Sequence, residues 1–504
     1  MNEALKKAYA RPDLPAIRLG NIMINDVIVA DAPAYLVLKS LNRHGLIAGA
    51  TGSGKTKTVQ GLCEQLSLQG VPVLAMDMKG DLSGLTKPGQ SQEALIARSQ
   101  SLQLDFEPRA FSCELLTIDA QEIGIPVRAT IESFGSLLFS RLLETNDAQS
   151  GVLTILFQYA EDNDWPLIEI DDLKAMIRWA QSDEGKTILQ QQYGHVSRES
   201  LGAIMRKLIE LESQGAHDFF GEPAFDFHDL MRVNEQGQGI LSILRLMNLQ
   251  SQPQLFSTFM LKLLNDLFLN MPECGDLDKP KCVIIVDEAH LLFKQANKAL
   301  LDMTETVVKL IRSKGVGILF CTQTPNDIPE QILGQLGLKI QHSLRAFTAK
   351  DRKAIKLVAQ NFPISEDYDT EQLLTSLGIG EALISALNAK GQPTPLIQCC
   401  IRPPLSRMGA LTDNEASQLV VASSLNARYG KRIDQRSAED ILAGIPHPKP
   451  GDKAPQPSSK AEKSQPSWVE KASKNTLVRQ VVRQFFRDLF RTILSIMGVK
   501  GRRK

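Results

Sequence analysis

Cysteine is scarce in this chain and its spacing is uninformative for metals. There are seven in 504 residues, none at C-x-x-C spacing, which argues against zinc-ribbon and thioredoxin-type readings. The only close pair, Cys399 and Cys400, is vicinal; Cys282, Cys321 and Cys399 sit in apolar, strand-like text and read as reduced core residues. Net charge is also missing. Lys plus Arg and Asp plus Glu both total 57, so no global basic field marks a nucleic-acid or membrane binder. No apolar run reaches the roughly 18 residues that span a bilayer, and the first residues, Met1 to Lys7, carry no apolar leader. The expectation is a cytoplasmic protein without a transmembrane segment. At 43% apolar and 23% charged, the composition is that of a folded globular chain, long enough for roughly two or three domains.

What is present begins with Gly49-Ala-Thr-Gly-Ser-Gly-Lys55-Thr56. A short apolar run, Leu46 to Ala48, precedes it, and helix-like text from Val59 to Leu66 follows. That is G-x-x-x-x-G-K-T in its strand–loop–helix setting, which binds the phosphates of a nucleoside triphosphate. Glycines let successive N–H groups turn inward, and the helix N-terminus adds partial positive charge. The expected nucleotide contacts are Gly49, Ala50, Thr51, Gly52, Ser53, Gly54, Lys55, Thr56 and Lys57. Lys55 supplies a cation to the phosphates and Thr56 a hydroxyl for Mg²⁺.

Four apolar residues, Val283 to Val286, end in Asp287 and Glu288. A carboxylate at a strand tip beside a P-loop completes the Mg²⁺ shell, here Asp287 with Thr56. The next carboxylate, Glu288, is placed to act as general base toward water. The alternative, a strand ending in a solvated acidic turn, loses weight because the P-loop is in the same chain. Gln323 ends the next buried strand, where a polar side chain senses the γ-phosphate; it also suits a turn cap before Pro325. In a parallel sheet its strand should lie between those carrying Lys55 and Asp287, which favours the sensor. Arg312, Arg345 and Arg352 are candidates for a cation supplied across a subunit boundary, Arg345 foremost, each with a surface ion pair as its plain alternative. A further charged cluster, Asp77 to Asp81, closes the apolar run Val71 to Met76.

Taken in order, the chain divides into a short β-rich lead-in (1–44), a first part of the ATPase core (45–124), a mainly helical insertion (125–236) and a second part of the core (237–445). A Pro/Ser/Lys-rich linker (446–470) and a basic amphipathic helix with its tail (471–504) follow. Strands alternating with helices predict an α/β fold with a mostly parallel sheet. The insertion shows apolar residues at helical period, with Ser197 a candidate N-cap. In the last segment, apolar pairs from Leu477/Val478 to Ile493/Leu494 recur every four residues, with Arg479, Arg483, Arg487 and Arg491 beside them. Such a helix suits a membrane surface, a partner groove or a phosphate track, and equally a stripe docked on its own protein.

Several longer words extend this pattern: Asn42-Arg-His-Gly45, Met78-Lys-Gly-Asp81, Gly221-Glu-Pro223, Asp287 to Phe293, Leu310 to Gly317, Gly334-Gln-Leu-Gly337 and Leu344 to Thr348. Together they resemble the bacterial DUF853 (YjgR-like) proteins of the HerA/FtsK superfamily of P-loop ATPases, over about residues 30–445. The resemblance implies a RecA-like (ASCE) core with a helical insertion, ATP and Mg²⁺ as ligands, and a hexameric ring. Relatives pump double-stranded DNA or move protein or DNA through secretion pores. Lys55 and Thr56 match Walker A, Asp287 and Glu288 match Walker B, Gln323 matches the sensor glutamine, and Arg345 is the nearest match to the trans-acting arginine. The chain departs from FtsK in lacking an N-terminal membrane region and an evident winged-helix tail. It departs from HerA in lacking a long N-terminal β-barrel.

Two functions share every ATP-site residue. One is an oligomeric motor on double-stranded DNA. The other is a nucleotide-timed switch or scaffold for a partner protein, without translocation. A small-molecule kinase fits poorly, since Glu288 has no task in it.

Overall fold

The computed structural model describes residues 3–248, 252–295 and 297–445; the expected linker and terminal helix lie outside the described residues. Twelve strands form one sheet: β1 (Ala16–Ile24), β2 (Val27–Val37), β3 (Gly45–Ala48), β4 (Val73–Asp77), β5 (Cys113–Thr117), β6 (Ile125–Pro126), β7 (Leu241–Arg245), β8 (Cys282–Val286), β9 (Val316–Thr322), β10 (Leu338–Gln341), β11 (Glu381–Ser385) and β12 (Ile397–Ile401). Their spatial order is β2-β1-β12-β11-β10-β3-β9-β8-β4-β7-β5-β6.

From β10 through β6 every pairing is parallel, as expected of a mostly parallel sheet. The central strands are near-continuous apolar text because both faces are covered: β4 and β8 are buried at every position. One core layer gathers Leu62, Leu66, Val73, Val283 and Ile340; the opposite layer gathers Leu74, Met76, Val286, Phe320 and Leu261.

Beyond β10 the sheet turns antiparallel through β11, β12, β1 and β2. The β-rich lead-in carries long strands, 9 residues in β1 and 11 in β2. Ile22–Ile24 and Val27–Val29 are the two ends of one hairpin. Its tip, Asn25 and Asp26, has positive φ at both residues (48° and 62°), the backbone that a tight two-residue turn requires.

The helical stretch comprises Ile131–Leu142, Asp147–Asp162, Ile170–Gln181, Asp183–Gln192 and Arg198–Leu211. Its starts are chemically marked: Asn146, Ser182 and Ser197 each accept a backbone N–H of the first turn. Phe134, Phe139, Phe219 and Phe220 pack mostly edge to face in its interior. The segment near 429–443 returns to this block, where Ala438 N–H donates to Pro166 and Arg128 donates to the Tyr429 carbonyl. The helix Pro253–Asn270 has Pro at its first turn and joins the block to the sheet, packing on Ile131–Leu142 and on Lys298–Leu310.

One consequence of the strand order decides the site. β9 lies between β3 and β8, and β4 lies beside β8. In register, Ala48 is level with Thr322, and Phe320 and Met76 are level with Val286. The residues that follow β3, β9, β8 and β4 therefore emerge along one edge.

Candidate nucleotide site

The P-loop leaves β3 and enters the helix Lys55–Leu68. Gly49 has φ 154°, and a Cβ there would lie 2.5 Å from that of His342, so no side chain fits. Gly54 has φ 107°, and its missing Cβ makes room for the Gly380 backbone 3.0 Å away. The loop is braced from neighbouring strands. Ala50 N–H donates to Ser343 O at 2.8 Å, and Gly380 N–H to Ser53 O at 3.1 Å. Arg98 in turn donates to the Gly380 carbonyl at 2.5 Å.

His342, just past β10, is the central brace. Its Nδ1 lies 2.8 Å from the Glu381 carbonyl, which can only accept, so that nitrogen carries the proton. Nε2 therefore accepts from the Thr58 hydroxyl at 2.9 Å. Burial pushes the imidazole down to about 4, which keeps it neutral, and the two hydrogen bonds fix this tautomer. No motif in the sequence singles out His342. The available signal was a histidine closing an apolar strand.

Lys55 is buried and donates to the carbonyls of Gly49 (2.6 Å) and Ala50 (3.2 Å). Its ammonium thus lies over the curl of the loop. Thr56 and Lys57 follow it, half-buried. Burial lowers the Lys57 ammonium, opposed by the charge of Asp81.

Across β9, Asp287 and Glu288 are both buried. Glu288 adopts φ 46°, left-handed backbone, and its N–H donates to the Asp287 carboxylate at 2.9 Å. Burial, then the charge of Glu288, raise Asp287 above the usual carboxylate range. The charged cluster after β4 resolves into a turn: Asp77 accepts from the N–H groups of Lys79, Gly80 and Leu82. Burial is the main cause that lifts Asp77 to about 6. Lys79 reaches over to Glu288, Nζ to Oε1 at 2.5 Å, and His290 Nδ1 stands 3.2 Å from Oε2. Burial alone would depress the Lys79 ammonium, but the bond to Glu288 and the charges of Glu288 and Asp287 hold it above its ordinary value. Asp77 and Glu288 are thus engaged, by backbone N–H groups and by Lys79, and the Asp287 carboxylate together with the Thr56 hydroxyl supplies the hard oxygen donors that fit a divalent cation.

Among the described residues, the group of three with ligand-like spacing is Asp171, Glu212 and His217, and it already holds Lys174 between its two carboxylates.

Gln323 follows β9 and is exposed at the same edge, its turn fastened by Asp327, which accepts from Thr322 Oγ1 at 2.8 Å. Arg345 is brought to its own P-loop, donating to the Thr51 carbonyl at 3.1 Å. Arg312 is not: it precedes β9, at the opposite end of the strands, and pairs with Asp276 at 3.3 Å. Arg352 is exposed on the helix Ala349–Gln360.

Residues 25–465 match the family model described as Helicase HerA-like C-terminal. The DNA double-strand break repair helicase HerA of Sulfolobus acidocaldarius is 24% identical over 399 residues, 75% of this chain and 72% of that protein. HerA of Saccharolobus solfataricus is 26% identical over 391 residues, 76% and 68% respectively. Among solved structures, the bacterial conjugative coupling protein TrwBdeltaN70 in its trigonal form with sulphate superposes with TM-score 0.50 at 14% identity, covering 80% of this chain and all (100%) of that one. With its Walker-type motifs on a parallel sheet of this order, the chain belongs to the HerA-like C-terminal helicase family and is a RecA-like P-loop ATPase.

Proposed function

We propose that this protein is a Mg²⁺-dependent ATP hydrolase that works as a ring of copies, six in the HerA/FtsK manner, and couples hydrolysis to movement along double-stranded DNA. The observation that carries the reading is the common edge of β3, β9 and β8, which gathers Lys55, Gln323 and the adjacent Asp287 and Glu288 from three stretches of sequence.

In this reading the P-loop N–H groups from Gly49 to Lys57 cradle the phosphates, and Lys55 exchanges its loop carbonyls for phosphate oxygens. Thr56 and Asp287 would hold Mg²⁺, which would supply charge neutralisation of the phosphates. Glu288 takes the proton of a water as its oxygen attacks the γ-phosphorus; the bond to the bridging oxygen breaks, and its electron pair leaves on the β-phosphate. Gln323 reports the γ-phosphate by hydrogen bond.

The trans-acting arginine deserves a different assignment from the sequence expectation. Arg345 already contacts its own P-loop, whereas Arg312 sits at the far end of the strands and could meet a nucleotide only on another copy. Arg312 is the better candidate for that role. The chain is cytoplasmic in this reading, its core is interrupted by the helical insertion 125–236, and the basic amphipathic pattern of 471–504, outside the described residues, suits a partner protein or a membrane surface. Among the described residues, no helix is long and apolar enough to cross a membrane.

Steady-state ATP hydrolysis with and without long double-stranded DNA tests the proposal, at about 100 mM salt because phosphate contacts are steeply screened. Stimulation that grows with DNA length is the expected result. Hydrolysis indifferent to DNA would transfer the reading to a nucleotide-timed switch.

A further inference from the structure

Glu288 is not free to act in the geometry described. Oε1 is engaged by Lys79 Nζ at 2.5 Å, and Oε2 is buried beside His290. Oε2 has no access to solvent, and Oε1 already accepts from Lys79. Lys79 is presented rigidly, because Asp77 fastens the turn that carries it through three backbone N–H groups. The pairing of β4 with β8 then sets the distance between that turn and Glu288. The two partners differ in exposure: the lysine side chain is 49% exposed and the glutamate 8%. Lys79 is therefore the end that can leave, since water solvates its ammonium as it withdraws. An ion pair with one half-exposed partner opens readily, whereas a fully buried one does not.

We propose that Lys79 is a positioning residue that holds the Glu288 carboxylate paired through Oε1, so that hydrolysis requires the Lys79–Glu288 pair to open. This rests on Glu288 being the general base. It makes the turn after β4 a restraint on the chemistry at β8. The left-handed backbone of Glu288 contributes by fixing where the carboxylate starts, so that opening is a side-chain motion from a defined origin.

The test uses the full chain without DNA. Lys79→Met is expected to raise basal kcat about five-fold, the shift that follows from losing a partly exposed ion pair, with KM for ATP unchanged. Lys79→Arg, which keeps a cation at that place, should reverse most of the rise. A kcat for Lys79→Met equal to or below wild type, at unchanged KM, overturns the proposal. If Lys79→Met fails to bind a fluorescent ATP analogue, Lys79→Gln carries the same expectation and the same refutation. Glu288→Gln run alongside separates the two readings. Wild-type hydrolysis by Glu288→Gln removes the base assignment and the restraint together. An inactive Glu288→Gln with an unaccelerated Lys79→Met removes the restraint alone. The double variant should be as slow as Glu288→Gln; faster hydrolysis there would mean that Lys79 acts through another group, and would overturn the proposal.

Discussion

Two buried histidines sit at opposite ends of neighbouring strands and are used in opposite ways. His342 follows β10 at the nucleotide edge; its proton is on Nδ1, and it ties the P-loop helix to the β11 turn. His44 precedes β3 at the other edge; its Nδ1 accepts from Ile318 N–H at 3.0 Å, so its proton is on Nε2, and it pins the start of β3 to β9. Burial pushes both down to about 4. The same side chain thus serves a brace under a functional loop at one end and a strand lock at the other. The surroundings differ as well. The nucleotide edge collects Asp77, Asp287 and Glu288. The far edge opens into a groove of about 570 Å³ lined by Arg43, Lys309, Arg312 and Lys339, with no carboxylate in its lining. The first edge is rich in carboxylates; at the second, Arg312 is paired with Asp276 and Lys309 with Glu305. A ring of copies that sets one edge against the other would use both.

The largest effect should come from the nucleotide edge. Lys55→Ala is expected to abolish both tight nucleotide binding and hydrolysis, read by a fluorescent nucleotide titration; binding near wild type would remove Lys55 from the phosphate site. If the far edge serves a neighbouring copy, Arg312→Ala should lower kcat by about 10³–10⁵-fold while leaving nucleotide binding intact. Mixing Arg312→Ala with Glu288→Gln subunits should then restore part of the activity, whereas Arg345→Ala should not be rescued in the same mixture. The reverse pattern would return the trans role to Arg345.

Next is Glu288→Gln alone, expected to bind ATP and to lose about 10²–10⁴-fold in kcat. Equal turnover by variant and wild type would end its assignment as base.

The smallest effect sharpens the histidine comparison. An unfolded histidine titrates near 6.5, and the folded pair near 4, so the unfolded chain binds more protons between these values. Their contribution to stability is complete above pH 6.5 and is lost as pH falls toward 4, up to about 3 kcal/mol each. Asp77, raised to about 6, has the opposite sign: its contribution is present below its ordinary value and is lost as pH rises through 6, which offsets part of the slope. His44→Asn keeps an acceptor for Ile318 N–H and tolerates positive φ, here 59°, while removing one titration. Denaturant unfolding between pH 4 and 7 should show a shallower acid slope for this variant; an unchanged slope would mean that His44 titrates normally.

Much of the site was legible because it is local. The P-loop is eight consecutive residues, and Asp287 and Glu288 are adjacent, so strand–loop–helix patterning and strand-tip chemistry identify them without knowledge of the fold. Even the placement of β9 between β3 and β8 followed from the parallel-sheet reading. The N-terminal strands were only half legible. Their alternation and turn residues were visible, but β1 pairs with β12, placing Gly20 opposite Ile401, and no periodicity encodes a partner that distant. Lys79 stood in a cluster noted after β4, yet its partner is 209 residues away and is met only because β4 and β8 are neighbours.

The sequence by itself determined the nucleotide chemistry, the alternation of strands and helices and the starts of the helices. These depend on dihedral preferences, side-chain period and capping within a few residues. Only the tertiary structure decided that His342 would brace the P-loop, that Lys79 would engage Glu288, and that Arg345 and Arg312 would fall on opposite edges. Those outcomes depend on strand order and register, which are set by burial summed over the whole sheet and by no single stretch of the chain.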